Sequence, residues 1–154
     1  MKQTSLKSIA RHMAAVQSGK VDKTNIIGIR KAINAIERGG ESDAMVNAVF
    51  ELERAIAERP PIVTGRLHDS GLKVLRNPRY AKRWSQRQDL TISNLDHFEL
   101  IRFDRIGRWQ SVPVYRAVSR SGGSFAFRNI PWQTAYYLGE QDGPRVVPES
   151  EYGS

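Results

Sequence analysis

Apolar side chains recur through the first half of the chain at intervals of three and four residues. Leu6, Ile9, Met13 and Val16 form one such stripe, which predicts a helix that Ser18-Gly19-Lys20 interrupts. Ile26, Ile29, Ile33 and Ile36 form a second, with Thr24 as its expected cap and Gly39-Gly40 as its stop. Met45, Val49, Leu52 and Ile56 form a third, capped by Ser42 and ended near Arg59 by Pro60-Pro61, because proline removes an amide donor and restricts its predecessor. Thr64 to Leu75 predicts a fourth helix with Leu67, Gly71 and Val74 on one side. Asn77-Pro78 ends it and places Pro78 at the first position of another. Ser85 and Gln88 fit a capping box, so a further helix is expected from Gln86 to about Leu95.

Beyond Leu95 the period changes. Phe98 to Phe103 and Val112 to Val118 are short and rich in β-branched and aromatic residues, with the turn-like Asp104-Arg105-Ile106-Gly107-Arg108 between them. They predict a β-hairpin in which Pro113, unable to donate to a ladder, lies at an edge or bulge. After Ser121-Gly122-Gly123-Ser124, Phe125-Ala126-Phe127 adds a third strand with both phenylalanines on one face and Arg128 turned the other way, available for contact. Pro131 is then expected to open a short helix, Trp132 to Leu138, ended by Gly139. The expected class is α+β, with a helical N-terminal half and a small antiparallel sheet plus short helix in the C-terminal half. Residues 1–59 form the helical region, 60–139 the basic helices and sheet, and 140–154 a polar tail, all within reach of one compact domain.

Composition narrows the classes of activity. The absence of cysteine removes disulfides, thiolate metal sites and thiol nucleophiles. No apolar run approaches the ~20 residues of a membrane helix, and the N-terminus carries no apolar secretion signal. The reading is cytoplasmic, with no membrane partner. A formal net charge of +8 is concentrated in the middle of the chain, where residues 61–110 carry a surplus of five cations and the last 44 residues balance. Most of that surplus is arginine, whose planar fork grips phosphate and stacks on bases.

Arg66, Lys73, Arg76, Arg79, Lys82, Arg83 and Arg87 face a single nearby acid, Asp69, up to residue 87. Tyr80 and Trp84 lie among them at helical spacing, suited either to base stacking or to a place in the core. The order helix, helix, strand, basic turn, strand over residues 64–118 resembles a winged helix-turn-helix. The stretch Ile92 to Phe103 resembles the end of a recognition helix running into the first wing strand. That resemblance makes Arg102, Arg105 and Arg108, with Gly107, a wing, and Val114-Tyr115-Arg116 its return strand. It implies a helix in the major groove and a wing on the backbone or minor groove. The third strand and the aromatic helix expected after the hairpin depart from the family's pattern. An earlier pair, Leu6 to Ala15 and Lys23 to Ile36 with Lys23, Asn25, Arg30 and Lys31, is joined by a connection too long for a helix-turn-helix and reads better as ordinary packing.

The histidines His12, His68 and His97 are spread along the chain. His97 lies close to Asp96 and Glu99, which would suit proton transfer if they converge. No metal-ligand spacing, phosphate loop or dinucleotide fingerprint is present, so neither metal nor cofactor is expected. The function expected is therefore a non-enzymatic nucleic-acid binder, DNA before RNA, of the kind a phage or plasmid regulator provides. The alternative is a non-catalytic inhibitor or assembly factor that meets an acidic protein, with Trp109 or Trp132 as contact residues. A small basic ribonuclease using His97, Glu99 and nearby arginines is a third reading.

Overall fold

The computed structural model describes residues 5–77 and 92–128, and the backbone of Tyr136–Gly139. The first three helices form where their apolar stripes lie. In α1 (Leu6–Ser18) the Ser5 hydroxyl accepts from the Ser8 amide, and Gly19 closes the helix at φ +92°, a left-handed geometry that glycine adopts without a Cβ clash. The expected Thr24 cap of α2 (Lys23–Arg38) is corrected. Asp22 accepts from the Asn25 amide while the Asn25 side chain accepts from the Asp22 amide, a reciprocal box made by an acid at the positive end of the helix. Ser42 caps α3 (Asp43–Glu58), which ends at Arg59 before the two prolines. A fourth helix, α4 (Arg66–Arg76), starts at Gly65 and buries Leu67, Gly71, Val74 and Leu75.

Two strands of two residues each were not expected. β1 (Lys20–Val21) and β2 (Ile62–Val63) pair in parallel, with Ile62 donating to the Gly19 carbonyl at 2.8 Å and Thr64 donating to the Val21 carbonyl at 2.9 Å. Two residues are too short to carry a strand periodicity, so only the tertiary pairing reveals them. They tie the segments on either side of Pro60-Pro61 into one sheet.

The hairpin is longer than its sequence signal. β3 (Leu95–Gly107) and β4 (Gln110–Ser119) meet at the two-residue loop Arg108-Trp109. Asp104 and Arg105, expected in the turn, are strand residues facing Val112 and Ser111. The β3–β4 ladder carries three register shifts, of which the one between Arg105 and Gly107 falls in the stretch that reads as a turn. Leu95 likewise opens a strand, after a single helical turn at Ile92–Asn94. The expected Gln86–Leu95 helix is corrected over those residues, while the part before Ile92 lies outside the described residues. β5 (Ser124–Arg128) adds to β4, and β6 (Tyr136–Gly139) adds to β5. The expected helix through Leu138 is therefore a strand from Tyr136 on, because its backbone pairs with β5 and satisfies that edge. Residues 131–135 and the tail from 140 lie outside the description. Pro113 sits one position past the last β4–β5 partner pair, Val114 with Arg128.

The sheet runs in the order β1-β2-β3-β4-β5-β6, antiparallel except at β1–β2. One face packs under the helices. Phe98, Leu100, Tyr115, Phe125 and Phe127 join Ile26, Ile29, Ile33, Leu52 and Ile56 in a single core drawn from both halves of the chain. Burying a side chain such as Phe98 contributes about 1.5–3 kcal/mol. Polar bonds fix the helices on this face. The Arg30 Nε donates to the Ser111 carbonyl at 2.9 Å, and the Ser111 hydroxyl donates to Asn34 Oδ1 at 2.9 Å. His12, buried between α1 and α2, accepts through Nδ1 from the Asn25 amide nitrogen at 3.1 Å, since the other Asn25 atom is already an acceptor. Burial, with help from nearby Arg11 and against the pull of Asp22, holds the His12 pKa below its ordinary value.

Candidate nucleic-acid interface

The six predicted basic positions that fall within the described residues behave in two ways. On α4, Arg66, Asp69, Lys73 and Arg76 follow one another at intervals of three, four and three, and all four are exposed. They form a single solvent-facing stripe on the side opposite Leu67, Gly71, Val74 and Leu75. Three cations thus share a helix surface with one acid, and Asp69 has His68 Nδ1 at 3.8 Å from its carboxylate. Arg79, Lys82, Arg83 and Arg87, with Tyr80 and Trp84, lie outside the described residues, as does Trp132.

The arginines expected in the wing are mostly engaged. Arg105 points to the helices and makes a two-pronged contact with Glu53, at 2.6 and 2.9 Å, with Glu37 at 3.5 Å. Arg102 donates to Asp104 at 2.9 Å. The same buried carboxylate takes Arg128, whose Nε donates at 3.1 Å and whose Nη2 is 3.0 Å away. The expectation that Arg128 is available for contact is corrected: it does point away from the phenylalanines, but only 6% of it is exposed. A buried carboxylate flanked by two guanidiniums is compensated in place, so Arg102 and Arg128 bind the sheet together while Arg105 fastens it to α2 and α3. Sequence could not show the contacts of Arg105 and Arg128, because their partners lie on a helix or on another strand; Arg102 and Asp104, two positions apart on β3, share a face once the stretch is known to be strand rather than turn.

Arg108 and Trp109 form the hairpin tip. The Arg108 guanidinium carbon is 5.4 Å from the Trp109 ring centroid, a cation–π contact. Trp109 has φ +59°, an uncommon geometry for a bulky residue, and is 48% exposed beside Ile106 at 43%. The tip is far from α4. His68 of α4 packs edge-on against Phe98 at the start of β3, and the tip lies roughly 30 Å further along that strand. The wing and the basic helix expected as one surface therefore sit at opposite ends of the hairpin.

His97 and Glu99 do converge. Glu99 Oε2 lies 2.9 Å from His97 Nε2, and Asp96 Oδ2 lies 2.6 Å from Nδ1. Arg116 donates to the second Glu99 oxygen through Nε at 2.9 Å and Nη2 at 2.5 Å. Both ring nitrogens are thus held by carboxylates of the protein, and the Glu99 carboxylate is shared with Arg116. Among the described residues no group of three acidic or histidine side chains is placed to hold a metal ion, and no helix is long and apolar enough to cross a membrane. Comparison with protein-family profiles, with curated proteins and with solved structures returns no match for this chain, so its reading rests on its own geometry.

Proposed function

We propose that this protein binds nucleic acid, duplex DNA first, through the solvent face of α4. The observation that carries the reading is the alignment of Arg66, Lys73 and Arg76 on one exposed helical stripe, continued in the sequence by the basic run from Arg79 to Arg87. Cations held along a helix neutralise successive phosphates and release counterions, giving affinity that falls with salt. The winged helix-turn-helix resemblance supports the same partner class, with α4 and the basic segment after it as the contact surface. Arg102 and Arg105, held by carboxylates, are left out of that surface; Arg108 is retained as a separate, distant cation.

The test is the triple reversal Arg66→Glu, Lys73→Glu and Arg76→Glu, compared with Lys7→Glu, Lys31→Glu and Arg38→Glu. All six are exposed, and the two triples change net charge equally. If each α4 cation meets one phosphate, the first triple reduces the slope of log affinity against log salt by about 2.7 on random duplex DNA. Equal weakening by both triples, or retention unchanged by the first, rejects α4 as the surface.

A second reading, a non-catalytic protein-binding factor, is supported by the exposed Trp109, Ile106 and Arg108 at the hairpin tip, since tryptophan and arginine concentrate binding energy at protein interfaces. Association that survives nuclease treatment and disappears in Trp109→Ala favours it over the first.

A further inference from the structure

The charged chain at the start of β3 depends on a local irregularity of the strand. Successive residues on a strand normally point to opposite faces. Here a register shift between Leu95 and His97 leaves Asp96 as the extra residue, while Leu95 and Phe98 both enter the core. Asp96 and His97 are consequently both turned away from the helices, which allows two sequence neighbours to bond at 2.6 Å. Glu99, two positions on, shares that face, and its register partner on β4 is Arg116. The result is a continuous row, Asp96–His97–Glu99–Arg116, that crosses from β3 to β4.

We infer that His97 is a proton-dependent clamp that holds the start of β3 in place and is built to be closed when its ring is an imidazolium. The argument is one of hydrogen count. A neutral imidazole has one N–H and one lone pair, whereas an imidazolium has two N–H groups. Carboxylate oxygens stand at 2.6 Å and 2.9 Å from the two nitrogens, so with both carboxylates ionised the two contacts are satisfied only by the doubly protonated ring. When the ring gives one proton to solvent, a lone pair is left facing a carboxylate oxygen at one end or the other, and that contact opens. Among the described residues the groups facing the ring are Asp96 and Glu99 from β3, with Arg116 of β4 acting through Glu99; directly across on β4 and β5 stand the uncharged Val118 and Ser124. Burial works against the charged ring, but the hydrogen bonds that the ring donates to Glu99 and Asp96, together with their negative charge, outweigh it and raise the His97 pKa above 6.5.

The clamp's position gives it reach. Glu99 is the register partner of Ile62 on β2, the Leu100 amide donates to the Pro61 carbonyl at 2.9 Å, and Phe98 carries the His68 ring of α4 at 5.6 Å. The stretch that His97 fastens is thus the seat on which β2 and α4 rest. The inference stands on this geometry alone and does not depend on what α4 binds.

The sign follows from the raised pKa. The stabilisation is fully present below about 6.5, where the ring is charged in the folded and the unfolded chain, and is lost as pH rises through the folded-state value. The test is a nitrogen-resolved NMR titration of the three histidines in the intact protein, with thermal unfolding of wild type and His97→Gln from pH 5.5 to 8.5 beside it. His97 should titrate above 6.5 with both nitrogens protonated on the acid side. In Glu99→Gln its midpoint should fall by roughly one unit or more. The melting temperature of wild type should decline with pH more steeply than that of His97→Gln. A His97 midpoint at or below 6.5 in wild type overturns the inference even if the variants fail to fold. Parallel pH profiles for wild type and a folded His97→Gln overturn it as well.

Discussion

Gly28 provides the sharpest test of how α1 and α2 pack. It lies inside α2, where helix propensity alone makes Gly→Ala stabilising by about 1 kcal/mol. The tertiary structure gives the opposite sign. A Cβ built at residue 28 would lie 2.1 Å from His12 Nε2, 2.6 Å from Cε1 and 3.1 Å from Cδ2. The ring cannot simply swing aside, because its Nδ1 is bonded to Asn25, and Asn25 is in turn one half of the capping box that starts α2. Overpacking a closed contact costs about 1–3 kcal/mol, and releasing the His12–Asn25 bond costs about 1 more. Against the gain in propensity, Gly28→Ala should destabilise by about 2 kcal/mol, which for a chain of this length lowers the melting temperature by about 4–8 °C. Thermal and urea unfolding followed by far-UV circular dichroism measure it. The double-mutant cycle with His12→Ala isolates the cause: once the ring is removed, Gly28→Ala should become neutral or stabilising. A melting temperature that rises in Gly28→Ala, or a penalty that persists after His12→Ala, would refute the reasoning.

Two further substitutions probe the sheet. Asp104→Asn keeps the shape of the side chain but removes the charge shared by Arg102 and Arg128; urea unfolding should show a loss of about 3 kcal/mol, as breaking a buried ion pair does. A loss under 1 kcal/mol would mean that the two arginines do not depend on it. Tyr115 is fully buried, its hydroxyl meets no hydrogen-bond partner among the described residues, and burial pushes its pKa far up. Tyr115→Phe removes an uncompensated polar group, so it should be neutral or stabilising by about 1 kcal/mol in the same assay; clear destabilisation would reveal a bond at that oxygen.

The elements whose signal is local were legible from sequence. The stripes of α1, α2 and α3 repeat over several turns, and each predicted apolar face meets the core except at Leu6, which is 50% exposed at the start of α1. Ser42, the stop at Arg59 and the shared face of Phe125 and Phe127 are likewise set by neighbours within a few residues. On α4 the same reasoning separates the apolar side from Arg66, Lys73 and Arg76, because helical geometry alone decides which residues share a surface.

What depends on distant partners was decided only by the folded chain. The stretch from Asp104 to Arg108 reads as a polar turn, yet most of it is strand, because Asp104 finds Arg128 on another strand and Arg105 finds Glu53 on a helix. β1 exists through its pairing with β2, and β2 through its pairing with β1 and β3, which two residues cannot announce. His97 and Glu99 share a face by strand alternation, but bringing Asp96 to that face needs a shifted register that no residue spacing encodes. Charge count in the sequence therefore fixed how basic this protein is, but not which arginines face solvent. A guanidinium is committed by whichever carboxylate the fold brings within about 3 Å of it, and that distance exists only in three dimensions.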